Sequence, residues 1–298
     1  YKGITIAGKR FNLTQFADDT LLFLKGYSGL RRAWRLIDTF AKATGMRVNL
    51  KKTEGLRAGR LRNRPPPVST ELNTDLITWQ TGDKWVRLLG IPFWEDNTPT
   101  ATNSFWDSLY HKAKCQMACW KGHWLTNLAK TRVATTMYLS KFRYWIQCMF
   151  PPSYITTAIV SDVQSYTWAK NLDIDPDEFG IDAKFRRWMK QESQYGNRIK
   201  QLGLGVFPWE SHNKALRSNW IFKYLDSTTA DYKLLLDCWF ARTEAGRGGC
   251  FSKVNIRTLT KPLTYRPSAL PTFWKQALSD FRDLTFDKAV SNECYSKD

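Results

Sequence analysis

The sequence predicts an α+β chain in which short antiparallel strands come first and helices follow. Three observations predict it: residues 1–25 alternate apolar and polar side chains, the apolar spacing changes to three and four at Leu30, and helical spacing dominates from Phe105 to Phe150. At 298 residues and 43% hydrophobic content the chain is long for one core, so two or three domains are expected.

The elements follow in order. Ile4 and Ile6 precede a small turn at Gly8-Lys9, Phe11 and Leu13 come next, and Thr20 to Leu24 follow Asp18-Asp19, which reads as a run of short strands. Leu30, Ala33, Trp34, Ile37 and Phe40 share one helical face, with Ser28 as the N-cap and Gly45 as the stop. A strand from Met46 to Leu50 is expected next. Residues 51–67 carry Lys51, Lys52, Arg57, Arg60, Arg62 and Arg64 against the single acid Glu54 and close on three prolines, the pattern of a basic loop. Two more strands are expected at about 75–80 and 85–92, joined by Thr81-Gly82-Asp83-Lys84. Helical spacing resumes through Phe105, Leu109, Ala113, Met117 and Trp120, and then through Leu128, Val133, Met137, Phe142 and Ile146. Pro151-Pro152 ends that unit, and further helices are expected at 154–171, 182–200, 210–225, 231–242 and 272–284. The clusters at Gly203-Leu204-Gly205 and Gly246 to Gly249 lack the Lys-Ser/Thr ending of a phosphate loop and read as turns.

Lys and Arg number 45 against 27 Asp and Glu, a formal charge of +18, which points to a polyanionic partner. With 14 Trp, 17 Phe and 12 Tyr there are aromatic faces on which bases can stack, although most such rings belong to cores. Between residues 104 and 150 the only acid is Asp107, whereas Lys112, Lys114, Lys121, Lys130, Arg132, Lys141 and Arg143 are basic. A helical segment apolar on one side and of one charge sign on the other suits an anionic strand lying across it, or else is a solvated face. The six cysteines contain no C-x-x-C pair and read as reduced thiols of an intracellular protein, in nucleus or cytoplasm. No stretch approaches the roughly 18 apolar residues needed to cross a bilayer, so no membrane partner is expected. The sequence opens on Tyr1 without a Met, as expected of a piece of a longer protein.

The segment that carries chemistry is Phe16-Ala17-Asp18-Asp19, set between two strand-like stretches. Adjacent carboxylates repel unless a cation neutralises them, and phosphoryl transfer to a nucleic-acid end uses a cation pair about 3.5–4 Å apart. An Asp-Asp pair by itself is most often an exposed turn. Order distinguishes this one. Phe16-Ala17-Asp18-Asp19 resembles the Phe/Tyr-x-Asp-Asp motif of reverse transcriptases, and the stretch from Phe40 to Thr53, with Thr44-Gly45-Met46-Arg47-Val48-Asn49, is similar to the next conserved element of the non-LTR (LINE-like) retrotransposon enzymes. Leu88-Leu89-Gly90-Ile91 resembles their hairpin that grips the primer end, and the aromatic helices from Trp106 to Tyr144 look like their thumb. Tyr166-Thr167-Trp168, Leu202 to Val206, and Lys214 to Arg217 with Trp220 resemble their signals beyond the thumb.

That resemblance implies the end of a palm over residues 1–95, a helical thumb over 96–172 and a basic, mostly helical region over 173–298. It implies an RNA-directed DNA polymerase whose partners are an RNA template, a DNA primer and dNTPs, with Mg2+ held by Asp18 and Asp19. Lys52 stands where the family has a lysine that steadies or protonates departing pyrophosphate, or else it simply attracts phosphate. Leu89 and Gly90 would let the backbone approach the primer, and Lys112, Lys121, Lys130, Arg132, Lys141 and Arg143 would meet nucleic acid. The other metal-binding Asp of the family lies upstream of this sequence, so this chain alone is expected to be inactive. Two other classes remain: a non-catalytic nucleic-acid binder descended from such an element, and an intron-encoded maturase, which shares the Asp-Asp hairpin but fits the downstream signals less well.

His111, Cys115, Cys119 and His123 recur every four residues, but on one helix the first and last lie about 18 Å apart and cannot surround one zinc. Isolated His212 reads as structural.

Overall fold

Strand pairing near the start of the chain is local, because each strand is only three or four residues long and is followed at once by a turn. In a computed structural model that describes residues 3–6, 8–62, 64–65, 76–120, 123–168, 205–206, 208–226, 230–244 and 270–283, β1 (Ile4–Ile6) pairs antiparallel with β2 (Lys9–Phe11), and β3 (Leu13–Phe16) pairs antiparallel with β4 (Asp19–Leu22). The 18-residue helix α1 (Tyr27–Thr44) follows, buries Leu30 and Ala33, and stops at Gly45, whose φ of 74° is left-handed and whose N–H donates to Ala41 O at 2.8 Å. The expected cap Ser28 lies inside the helix, with Gly26 at the N-cap.

The expected strand from Met46 to Leu50 does not form. Met46 and Val48 alternate as a strand would, yet both are exposed, and the chain instead makes a short 3₁₀ turn at Leu50–Lys52 whose start is capped by Asn49 Oδ1 accepting from Lys52 N at 3.3 Å. The basic loop is likewise more ordered than expected. It contains β5 (Glu54–Leu56), which pairs in parallel with β6 (Thr78–Gln80), and a 3₁₀ turn at Gly59–Leu61. Arg57 is buried there, its Nη2 3.0 Å from Glu95 Oε2 and its Nη1 donating to the Arg64 carbonyl. In the register of that ribbon Gly55 faces Trp79, and a Cβ at Gly55 would meet indole carbons at 2.6–2.9 Å. Gly55→Ala is therefore expected to cost about 1–3 kcal/mol, read by urea unfolding of the whole chain, and an unchanged midpoint would contradict the packing.

The Thr81–Lys84 turn forms, with Lys84 N donating to Thr81 O at 3.2 Å, but it does not pair the strands on either side. What was expected as one strand at 85–92 is a hairpin of β7 (Trp85–Leu88) and β8 (Ile91–Trp94). Trp85 and Trp94 end it in an edge-to-face contact, with ring centroids 6.0 Å apart. By internal packing the chain divides into two compact units, Tyr1–Ser104 and Phe105–Asp298.

The helices are α2 (Pro99–Ala118), α3 (Asn127–Val133), α4 (Ser140–Ile146), α5 (Ser153–Trp168), α6 (Trp209–Leu225), α7 (Asp231–Glu244) and α8 (Thr272–Arg282). Between α3 and α4 a wide π turn occupies Ala134–Leu139. The reason is legible in the burial: Lys130, Ala134, Tyr138, Phe142 and Ile146 are all buried and fall four apart. A helix of 3.6 residues per turn would drift by about 160° over that run, and the wide turn, which adds a residue, removes about 100° of the drift. Phe105, Met117, Ile155 and Ile159 are buried in the same unit, as are Ile221, Leu236, Leu278 and Phe281 of a cluster built by α6, α7 and α8. Each such side chain contributes roughly 1.5–3 kcal/mol on leaving water.

Asp162 of α5 is buried and accepts from the hydroxyls of Tyr110 at 2.7 Å and Tyr138 at 2.8 Å. Burial and the adjacent carboxylate push both phenols above the usual tyrosine range. Among the described residues no helix is long and apolar enough to cross a membrane. The helix expected at 182–200, Gly203-Leu204 and the Gly246–Gly249 cluster lie outside the described residues.

Candidate nucleic-acid interface

The Asp pair sits at the tip of the β3–β4 hairpin. Phe16 faces Asp19 in the register, so Ala17 and Asp18 alone make the turn and Asp19 opens β4. Ala17 has a φ of 52°, and Gln15 Nε2 donates to its carbonyl at 3.3 Å. The positive φ breaks strand alternation and lets successive carboxylates stand at one end of the ribbon. Every residue from Leu13 to Thr20 is exposed, Phe16 to 66%, so no described element covers the tip. Neither carboxylate enters an ion pair among the described residues, and those residues contain no group of three or more His, Cys, Asp or Glu able to hold a metal. Two carboxylates from one turn supply too few oxygens for a two-cation centre, so this donor set does not by itself fit the Mg2+ pair that the family resemblance implies.

The second tip is also a two-residue turn but of another type, because both of its residues have positive φ. Leu88 faces Ile91, so Leu89 and Gly90 form a two-residue turn with φ of 48° and 83°, both left-handed, as a type I′ hairpin needs. Among the described residues, Ala17 and Leu89 are the non-glycine positions with positive φ, and they occupy the two turns singled out from the sequence. Such backbone costs about 1–3 kcal/mol and collects at functional sites. Leu89 is exposed.

Lys52 ends the Leu50–Lys52 turn and is exposed, with no ion pair to either Asp among the described residues. In the second unit Lys112, Arg132, Lys141 and Arg143 are exposed, and Lys121 lies outside the described residues. Lys130 departs from expectation. It is buried in α3, and burial holds its ammonium pKa below the usual lysine value, so it belongs to the interior face and not to a phosphate-binding one. Arg143 Nε donates to His212 Nε2 at 2.9 Å, so that nitrogen is unprotonated. Burial first, and Arg143 second, lower the His212 pKa. His111 Nε2 and Cys115 Sγ lie 3.7 Å apart, one turn from each other on α2.

One aromatic escaped the sequence reading: Trp124, 89% exposed in the turn between α2 and α3. No spacing marked it: Trp124 stands seven residues beyond Met117 and four before Leu128, in phase with the apolar positions of both helices.

No family model matches this chain, and no curated protein does.

Proposed function

We propose that this chain is the C-terminal part of a reverse transcriptase of the non-LTR retrotransposon type, in which it holds an RNA template and DNA primer, and that it does not polymerise alone. The observation that carries the reading is the pair of strained two-residue tips, Ala17-Asp18 followed by Asp19 and Leu89-Gly90, at the positions where the motif order of that family calls for the catalytic acids and the primer grip. The exposed cations of the second unit and the formal charge of +18 supply the electrostatics for a polyanion. In this reading residues 96–172 are the thumb and residues 173–298 the downstream region. Polymerisation needs dNTPs, Mg2+ and at least one further carboxylate from upstream.

The rival, a non-catalytic nucleic-acid binder from such an element, draws on one observation: the Asp tip is bare and its donor set is incomplete. Two measurements separate them. In this chain, Asp18→Asn with Asp19→Asn leaves template–primer affinity unchanged or tightens it by no more than about 30-fold, the ~1 kcal/mol that each of two unit charges exerts at about 4 Å in water. Loss of binding would make the pair structural. In the longer parent, Asp18→Asn abolishes nucleotide incorporation while binding survives. Undiminished incorporation overturns the polymerase reading and leaves the binder.

A further inference from the structure

Resting on the nucleic-acid reading above, we propose that the indole of Trp124, just ahead of α3, is a stacking platform for an unpaired base of single-stranded nucleic acid. At 89% exposure Trp124 is uncovered to a degree unusual for tryptophan, which is highly buried on average. Trp120 N donates to Met117 O at 3.1 Å, His123 N to Trp120 O at 3.4 Å, and Thr126 caps α3 by accepting from Ala129 N at 3.3 Å. The Trp120 and His123 rings lie 5.6 Å apart at 49°, a second aromatic pair directly before the indole.

The surroundings choose the occupant. From residue 104 to residue 150 the only acid is Asp107, which accepts from the Tyr154 hydroxyl at 2.8 Å and stands twelve residues, about 18 Å along the helix, from Cys119. Exposed Lys112 on α2 and Arg132 on α3 flank the turn on either side in the chain. An uncovered indole in a basic stretch of sequence whose single acid is remote along the chain matches a ligand that presents a flat apolar ring on an anionic backbone. A duplex hides its base faces within the stack, which favours the single strand. An apolar protein partner would use the indole but gain nothing from the missing acids.

The test is fluorescence anisotropy of the full chain with labelled oligothymidylate, oligouridylate and a blunt duplex, beside an oligomer of abasic sugars. Trp124→Ala is expected to weaken both single strands by roughly 5- to 150-fold, Trp124→Phe by less, and neither to alter duplex or abasic binding. An unchanged affinity of Trp124→Ala for single strands overturns the platform while the template–primer reading stands. So does an equal loss on the abasic strand, which would assign the effect to the backbone. A wild-type chain that binds no nucleic acid at low salt removes both.

Discussion

Raising monovalent salt from about 50 to 200 mM is expected to weaken template–primer binding by roughly 10³- to 10⁵-fold, the loss that accompanies about six to ten neutralised phosphates. The cations able to produce that slope are the exposed ones. Arg47, Lys51, Lys52, Arg60 and Arg64 are exposed in the first unit, and Lys112, Arg132, Lys141 and Arg143 in the second. Arg57 is committed to Glu95, Arg62 stands 3.1 Å from Asp96, and Lys130 is buried. These three are therefore expected to add little. Anisotropy titrations over a salt series yield the log-log slope, with about 0.7 to 0.9 per phosphate contacted. A flat series would remove nucleic acid as the partner.

Arg217→Met is expected to destabilise the second unit by about 3–5 kcal/mol, a large part of the total stability of an ordinary domain. Asp280 is fully buried, takes a hydrogen bond from Arg217 Nε on Oδ2, and takes another from Gln276 Nε2 at 3.0 Å on Oδ1. The same guanidinium lies over the Phe150 ring, 5.4 Å from its centroid. Removing it leaves a carboxylate out of water with one neutral donor. The paired change Arg217→Met with Asp280→Leu should recover most of the loss, because two apolar groups leave no orphaned charge. By contrast Lys214 and Asp283, 2.9 Å apart but exposed, form a pair worth at most about 1 kcal/mol. Urea unfolding followed by tryptophan fluorescence reads both variants. A small effect of Arg217→Met would mean that water reaches Asp280.

The sequence reveals elements wherever one local rule decides. The α1 helix is legible because Leu30, Ala33 and Ile37 keep helical spacing and Gly45 supplies the left-handed stop. The hairpin tips are marked by motif order and not by turn composition, since Ala17 and Leu89 are residues that seldom adopt positive φ. Non-local pairing is not legible: Met46 and Val48 alternate correctly but meet no partner strand, whereas β6 finds its parallel partner in β5 across more than twenty residues. The interface follows the same division. Paired acids and a basic segment can be read from order and charge, but the burial of Lys130 depends on a four-residue stripe that no single helical period represents. Trp124 is hidden for the opposite reason, since periodicity marks what is inside and is silent about a ring left out.

That stripe has one more consequence. Lys130 and Phe142 stand twelve residues apart on a common buried side, yet eleven residues at ordinary pitch would already return to within about 20° of the start. The bulged coil from Ala134 to Leu139 thus behaves like a spare link. Loss of one codon there would leave Phe142 still directed inward, whereas the same loss in α5 between Ile155 and Val163 would swing the tail of that rod away from its partners.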